Sequence, residues 1–340
     1  MDWFERIAGF PEGSYAQTQA ALSVVDGRLR RRGAGYSYGV GMLSLPSLAE
    51  LRSQALVERS SGPSRLSIVQ GDVRALHSAP ENRGALFQVA SQFNLLEMIG
   101  PDVTPEDGVT RYAHDRTQGP ACAMAAGAAT IYRNYLVPVD GVIGQSADRQ
   151  IDGLADLGRA LAMRLGTHIS DLWSMRNGYA LCTRDGLSEI RQHLQGADAA
   201  TLDALRGLLR VGLHVDIEVT DGPAPGPQVS QIFCSALPIA YGKHPAAAWA
   251  PFARLVLEAA YEATLLAGVL NAARGGSNRV LLTRLGGGAF GNADNWIEGA
   301  LLRAVRLVKE RDLDVAIVSY GPPSPASRNF FHASGFSTLP

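Results

Sequence analysis

Segments with the pattern of strands alternate with segments with the pattern of helices from residue 66 to residue 320. Apolar strands of this kind stay buried only when helices cover them. The alternation therefore predicts an α/β fold with a mostly parallel or mixed sheet covered on both faces. The 340 residues suit one large domain with insertions. The predicted strands include RLSIVQ, GALFQVASQFN, NGYALCT, LHVDIEVT, VSQIFCSALPIAY, RVLLTRL and DVAIVSYG, and the predicted helices include SLPSLAELRSQAL, ACAMAAGAATIYRNYLV, IDGLADLGRALAMRLG, the segment 246–273 and the segment 293–311.

Composition and charge exclude several classes of function. The formal net charge is −1, so no basic surplus indicates a nucleic-acid partner or an anionic membrane. No run of 18 apolar residues occurs, and the N-terminus lacks the apolar segment of a secretory signal. The three cysteines, Cys122, Cys182 and Cys234, have neither disulfide-framework nor zinc-site spacing. We expect a cytoplasmic protein that binds neither nucleic acid nor membrane and needs no metal or cofactor.

The stretch LLTRLGGGAFGNADNWIEGALLR, residues 281–303, places bare backbone between a predicted strand and a predicted helix. Exposed backbone N–H groups next to the start of a helix form a site for phosphate or diphosphate. The loop lacks the Lys-Ser/Thr of a nucleoside triphosphatase and the spacing of a dinucleotide-binding loop. Two interpretations remain open, an anion site formed by Gly286, Gly287, Gly288 and Gly291, or a glycine turn that only lets the strand meet the helix.

Two further stretches carry polar groups to the same edge of the predicted sheet. The strand that ends in FQVASQFN brings the carboxamide of Asn94 to the carboxyl edge, where open α/β sheets bind ligands. The loop that follows contains Asp107 and Asp115 before a helix start near Gly119 and Pro120. Two carboxyl groups near a ligand are what the cleavage of a glycosidic bond requires. Capping of a turn or helix is the alternative role for each of these side chains.

Taken together, these stretches resemble a macrodomain, the ADP-ribose-binding α/β/α fold. The motifs are Gly71-Asp72-Val73 after the first strand, Asn94 after the second, Gly288-Ala289-Phe290-Gly291 in the glycine loop, and the strand DVAIVSYG. VASQFN departs from the family's Asn-Ala-Ala-Asn in all but its last residue. The resemblance covers about residues 36–320 and implies a three-layer α/β/α fold with a mixed central sheet.

The resemblance also implies a domain organisation. Residues 1–35 would be an N-terminal extension and residues 36–325 a macrodomain-like catalytic domain. Within that domain the segment from about 138 to 250 would be a large insertion, and residues 326–340 would form a C-terminal tail.

The resemblance further implies a role for each matching residue. Asp72 and the backbone of Val73 would bind adenine, Asn94 and Phe290 the distal ribose, and the backbone of 286–292 the diphosphate. Tyr320 would lie near adenine. The implied ADP-ribose-binding residues are Asp72, Val73, Asn94, Gly286, Gly287, Gly288, Ala289, Phe290, Gly291, Asn292 and Tyr320.

The acidic loop PEDGVTRYAHDRTQGPACA replaces the glycine-rich loop of binding macrodomains, and the chain then resembles a branch that includes hydrolases of ADP-ribosyl-arginine. The resemblance predicts a mono-ADP-ribosylhydrolase that removes ADP-ribose from modified protein side chains, with arginine as the acceptor, by water attack at the anomeric carbon of the distal ribose. Its partners would be ADP-ribose and an ADP-ribosylated protein. Its catalytic residues would be Asp107, Asp115 and the orienting Gln118. The alternatives are a reader that binds ADP-ribose without chemistry and a sensor of another NAD-derived nucleotide.

Overall fold

The computed structural model describes residues 1–30, 36–58 and 61–322, so the predicted tail at 326–340 lies outside the described residues. In chain order the strands are β1 (Val24–Val25), β2 (Arg28–Leu29), β3 (Tyr38–Gly39), β4 (Met42–Ser44), β5 (Arg65–Gln70), β6 (Leu86–Ala90), β7 (Pro138–Val139), β8 (Val142–Ile143), β9 (Trp173–Arg176), β10 (Tyr179–Cys182), β11 (Gly212–Glu218), β12 (Gln228–Cys234), β13 (Arg279–Leu282) and β14 (Asp314–Ser319). The α-helices are α1 (Trp3–Ala8), α2 (Tyr15–Ala21), α3 (Leu48–Leu56), α4 (Val73–Ser78), α5 (Gln118–Ala125), α6 (Gly127–Tyr135), α7 (Ala155–Leu165), α8 (Ile169–Leu172), α9 (Arg184–Gly196), α10 (Ala199–Gly207), α11 (Ala246–Ala273) and α12 (Asp294–Leu307).

Seven of these strands form the central sheet, in the order β4-β11-β12-β6-β13-β14-β5. The five strands from β12 to β5 are parallel to one another, whereas β11 is antiparallel to both of its neighbours, β4 and β12. The carboxyl ends of the five parallel strands therefore meet at one edge, where a parallel sheet binds its ligands.

The sheet is buried on both faces because successive side chains of its central strands point to opposite sides. On β6, Leu86 packs into the core formed with α11, and its neighbour Phe87 packs into the core formed with α5 and α6. Ile232 and Phe233 of β12 divide in the same way. The predicted three-layer α/β/α fold with a mixed sheet is confirmed.

Helix α11 is the central helix of one layer. Its 28 residues are long and apolar enough to cross a membrane by length and composition, but 78% of its most apolar window is buried inside this fold. The hydroxyl of Thr264 on this helix accepts a hydrogen bond from the buried side chain of Gln88 on β6. Its apolar surface is thus used in packing against the sheet.

Local sequence signals decide some helix ends, and tertiary contacts decide others. Ser47 and Glu50 form the capping box that the sequence of α3 predicts. The single helix expected over 121–137 is wrong, since the helical hydrogen bonding is interrupted at Ala126. Thr220, which follows β11, provides the physical reason: its hydroxyl accepts from Gly127 N and its amide donates to Ala125 O.

Residues of the expected N-terminal extension and of the expected insertion both contribute to the fold. Residues of the expected N-terminal extension are part of the fold, since Trp3 and Phe4 are buried against the layer that contains α6. Of the segment 138–250 expected as an insertion, residues 212–234 supply β11 and β12 of the central sheet. The remainder up to α10 adds helices and the β9–β10 hairpin beside the carboxyl edge.

Candidate active site

A cleft of about 690 Å³ opens at the carboxyl edge of the sheet. Its walls come from the turn after β6, the loop before α5, the β9–β10 hairpin and the glycine loop between β13 and α12. Clefts of ~300–1,000 Å³ are the usual size for sites that bind small molecules. This position and size make the cleft the candidate site.

The glycine loop keeps its shape through two close contacts. Gly286 has φ 73°, and a Cβ there would lie 2.4 Å from Cβ of Ala236. The side chain of Asn292 donates to Leu237 O at 2.9 Å and to Gly286 O at 3.3 Å. A side chain at position 286 would therefore displace the loop, which explains the glycine there.

The loop also presents unused donors. Within the described residues, the amides of Gly286, Gly288, Ala289 and Phe290 donate to no protein acceptor, and all four residues line the cleft. A Cβ at Gly288 would meet nothing within 4 Å, so this residue faces open space. Backbone N–H groups without protein acceptors beside the start of a helix can bind an anion.

Arg284 adds a positive charge to this side of the cleft. Its guanidinium donates to Asp294 at 2.6 Å and lies 3.6 Å from Glu298, both on α12. The cation is therefore held beside the glycine loop by two helix carboxylates, which already balance its charge.

The turn after β6 folds back and brings a buried carboxyl group to the wall of the cleft. Leu95 adopts φ 64°, Leu95 N donates to Gln92 O, and Leu96 N donates to Oδ1 of Asn94 at 3.1 Å. Met98 N donates to Oε1 of Gln92 at 2.7 Å. The reversal brings Glu97 back to the sheet edge, where it lines the cleft.

Glu97 is buried and its carboxyl oxygens have no hydrogen-bond partner in the protein. Burial raises the pKa of Glu97 to about 8, although the nearby Arg133 guanidinium acts in the opposite direction. The closest approach of the two groups is 3.6 Å, between Glu97 Oε1 and Arg133 Nη2. A carboxyl group that is largely protonated at neutral pH suits proton transfer to or from a ligand.

The acidic loop places its two aspartates differently. Asp115 lines the cleft, and its Oδ1 accepts from Thr117 N at 2.8 Å. Asp107 is exposed outside the cleft lining, where it caps a short 3₁₀ turn by accepting from Thr104 N at 2.8 Å. Only Asp115 can contact a ligand that occupies the cleft.

The remaining predicted catalytic residue, Gln118, is bound to the end of β6. Its Oε1 accepts from Ala90 N at 2.8 Å and its Nε2 donates to Gln88 O at 2.7 Å. The side-chain amide thus takes the place of a neighbouring strand beyond the point where β13 pairs with β6. Gln118 lines the cleft while it stabilises the cleft wall.

The aromatic rings of Tyr179, Tyr241 and Phe290 form one wall of the cleft. Tyr179 lies 5.1 Å from Tyr241 and 5.2 Å from Phe290, measured between ring centroids. The hydroxyl of Tyr179 donates to Met98 O at 2.7 Å, which ties the hairpin to the turn that carries Glu97. Such a wall offers apolar surface to a sugar or base.

The predicted site residues divide into two groups. Asp72 caps α4, Asn94 binds the Gln150 side chain, and Tyr320 is 85% exposed, so none of these three reaches the cleft lining. The predicted residues that line the cleft are Asp115, Gln118, Gly286, Gly288, Ala289 and Phe290, and those that do not are Asp72, Val73, Asn94, Asp107, Gly287, Gly291, Asn292 and Tyr320.

Sequence reasoning missed Glu97. The signal available was a single acidic residue within the apolar run Leu95-Leu96-Glu97-Met98, directly after a buried strand. Tyr179 and Tyr241 were also missed, because the hairpin that carries Tyr179 lies far from the other site residues along the chain. No group of three or more His, Cys, Asp or Glu side chains that could hold a metal ion occurs among the described residues.

No protein-family model matches this chain, and no curated protein matches it. Among solved structures, the chain is similar to the poly(ADP-ribose) glycohydrolase of Deinococcus radiodurans in complex with ADP-ribose, with a TM-score of 0.45, 10% identity, and coverage of 86% of this chain and 93% of that chain. It is also similar to the poly(ADP-ribose) glycohydrolase of Thermomonospora curvata, with a TM-score of 0.45, 15% identity, and coverage of 94% and 97%. The latter enzyme bound to the inhibitor ADP-HPD gives a TM-score of 0.42, 15% identity, and coverage of 94% and 96%.

Proposed function

We propose that this protein hydrolyses the glycosidic bond between the distal ribose of ADP-ribose and an acceptor group. The observation that carries the proposal is Glu97, a buried carboxyl group without a hydrogen-bond partner that faces the same cleft as the free amides of the glycine loop. The loop would bind the diphosphate, and the wall of Tyr179, Tyr241 and Phe290 would contact the distal ribose. The sequence resemblance to macrodomains supports the same ligand.

The reaction requires two proton movements. The bond between the anomeric carbon and the acceptor atom breaks, and a bond forms between that carbon and the oxygen of water. The acceptor gains one proton and the water loses one, so a group with a pKa near neutrality can serve both steps. Glu97 has a pKa raised to about 8 by burial and can donate the first proton and accept the second.

Asp115 has a complementary role in this proposal. The transition state of glycoside hydrolysis carries positive charge at the anomeric carbon and ring oxygen, and a nearby carboxylate stabilises it. Asp115 lines the cleft and is half-buried. A reader that only binds ADP-ribose would have no use for a buried, unpartnered carboxyl group, because such a group costs stability.

Arginine is the acceptor that the sequence resemblance predicts, and an oxygen-linked acceptor is the second candidate. The protonated state of Glu97 favours the second, because an alkoxide needs a proton in order to leave. The leaving guanidine of an arginine acceptor is neutral and depends less on that proton. The two acceptors therefore differ in how strongly their cleavage depends on Glu97.

The test is the release of ADP-ribose, measured by chromatography, from carrier proteins modified on arginine or on a hydroxyl side chain. We expect the wild-type protein to release ADP-ribose and Glu97→Gln to be slower by about 100-fold or more. Glu106→Gln, which changes an exposed carboxylate outside the cleft lining, is the matched control and should retain full activity. Absence of release by the wild-type protein from both substrates, or equal rates for wild type and Glu97→Gln, would refute the proposal.

A further inference from the structure

Arg133, on α6, is a fully buried cation beside Glu97. Its Nε donates to Leu95 O at 3.1 Å and its Nη2 to the hydroxyl of Thr130 at 3.1 Å. Its guanidinium carbon lies 3.9 Å from the centroid of the Phe233 ring. Burial of a charged guanidinium is costly, and these contacts fix the group in one place.

The partners of Arg133 are neutral apart from Glu97. Nη1 lies 3.5 Å from Nδ1 of His214, whose burial keeps the pKa far below its ordinary value, so the ring accepts a hydrogen bond as a neutral group. Leu95 O and the Thr130 hydroxyl carry no charge. Glu97 is therefore the one acidic group in the described residues that lies within ion-pair distance of Arg133.

Resting on the proposed function, we propose that Arg133 is a positioning residue that acts through Glu97. Its fixed positive charge stabilises the ionised form of that carboxyl group. Glu97 can therefore give a proton to the acceptor and take one from water in the same turnover. Arg133 itself does not line the cleft and does not contact the ligand.

Other titratable groups that face Glu97 do not replace this charge. The hydroxyl of Tyr112 accepts from Glu97 N at 3.1 Å, and its burial raises its pKa well above the ordinary value, so it stays neutral. The thiol of Cys122 on α5 is buried, and its pKa is raised for the same reason. The only positive charge that the structure sets against Glu97 among the described residues is the guanidinium of Arg133.

The geometry also explains why the pair is not simply a buried salt bridge. At 3.6 Å the two groups attract each other, but the guanidinium forms no hydrogen bond to either carboxyl oxygen of Glu97; the nearby hydroxyl of Tyr112 also acts to lower the pKa of that carboxyl group. A pair with a structural role would be expected to satisfy its buried acceptors. Here both oxygens are buried without a hydrogen-bond partner, in a residue that lines the cleft.

The first test needs no change at Arg133 and no activity. Carbon-13 NMR of glutamate-labelled full-length protein gives the pKa of the Glu97 carboxyl group, assigned with Glu97→Gln. Nitrogen-15 NMR follows Nε of Arg133 over the same pH range. We expect the nitrogen-15 chemical shift of Arg133 Nε to change with pH at the same midpoint as the Glu97 carboxyl signal. The absence of a change at that midpoint would overturn the inference.

The second test compares a neutral and a charged replacement. In Arg133→Gln the titration midpoint of the Glu97 carboxyl group should rise by about 1 to 3 pH units, because the nearby positive charge has been removed. In Arg133→Lys, which keeps the charge, it should stay closer to that of wild type. An unchanged midpoint in a folded Arg133→Gln protein would contradict the proposal, and if that variant does not fold, the wild-type titration decides.

The pH dependence of kcat/KM then distinguishes this inference from the proposed function. We expect the apparent pKa of activity to move with the NMR midpoint in both variants. If the wild-type protein releases no ADP-ribose, the proposed function fails, although the NMR titrations still decide whether Arg133 controls Glu97. If activity is present but its apparent pKa does not follow the midpoint, the role of Arg133 in turnover is refuted.

Discussion

Gly119 lies directly against Glu97. A Cβ added to Gly119 would lie 3.0 Å from Cγ of Glu97 and 2.1 Å from Ala90 O, the last carbonyl group of β6. The start of α5 thus approaches the strand and the buried carboxyl group so closely that only a hydrogen fits. The bare backbone at Gly119 holds Glu97 in its position.

Gly119→Ala should therefore reduce both stability and activity. The methyl group would push α5 away from β6, and overpacking of this kind costs about 1 to 3 kcal/mol. Chemical denaturation measures the loss of stability, and ADP-ribose release measures the loss of activity. The control is Gly299→Ala on the exposed side of α12, where a Cβ meets nothing within 4 Å; this variant should be as stable as wild type or more so.

Glu97 should make the stability of the protein depend on pH. Its folded-state pKa of about 8 lies above the ordinary value of 4.5, so between these values the unfolded chain is ionised while the folded protein keeps the proton. Wild-type stability should fall as the pH rises through this window, by a total on the order of 5 kcal/mol.

Glu97→Gln removes this penalty. The variant should gain stability relative to wild type as the pH is raised from 5 to 8, measured by thermal unfolding at each pH. Glu106→Gln is again the control. The difference in stability between Glu106→Gln and wild type should not change over this pH window. If the difference in stability between Glu97→Gln and wild type stays constant from pH 5 to 8, Glu97 does not retain its proton in the folded protein.

Gly288 offers a direct test of ligand binding. Because a Cβ there meets nothing within 4 Å and the residue is not in the left-handed region, Gly288→Glu should fold normally while its carboxylate opposes an anionic ligand. Calorimetric titration of wild type with ADP-ribose should show micromolar binding, about −8 kcal/mol, and the variant should bind far more weakly.

The matched control for that titration is Gly299→Glu, which makes the same substitution on the surface of α12. It should bind ADP-ribose as wild type does. Equal binding by Gly288→Glu and wild type would remove the glycine loop from the ligand site.

The two aspartates of the acidic loop should differ in their effect on catalysis. Asp115→Asn should lower kcat with little change in ADP-ribose affinity, because Asp115 lines the cleft and would stabilise charge that develops only in the transition state. Asp107→Asn should keep kcat close to wild type, since its carboxylate caps an exposed turn. Single-turnover kinetics on both variants tests this, and a larger loss for Asp107→Asn would reverse the assignment.

The sequence determined the parts of this protein that depend on short-range patterns. The apolar runs at 65–70 and 314–319 become adjacent parallel strands, the Ser47–Glu50 box starts α3, and the glycine stretch at 286–288 joins β13 to α12. Each of these rests on the conformational preferences of neighbouring residues, which are visible in the chain itself.

The tertiary structure alone decided which side chains reach the cleft. Asn94 faces Gln150 instead of the ligand side, and Tyr179 arrives from a distant hairpin. Glu97 acquires its raised pKa because the fold removes water from it and places Arg133, 36 positions away in the sequence, only 3.6 Å from its carboxyl group. Desolvation and charge at a buried group depend on everything packed around it, and no local pattern in the sequence records those neighbours.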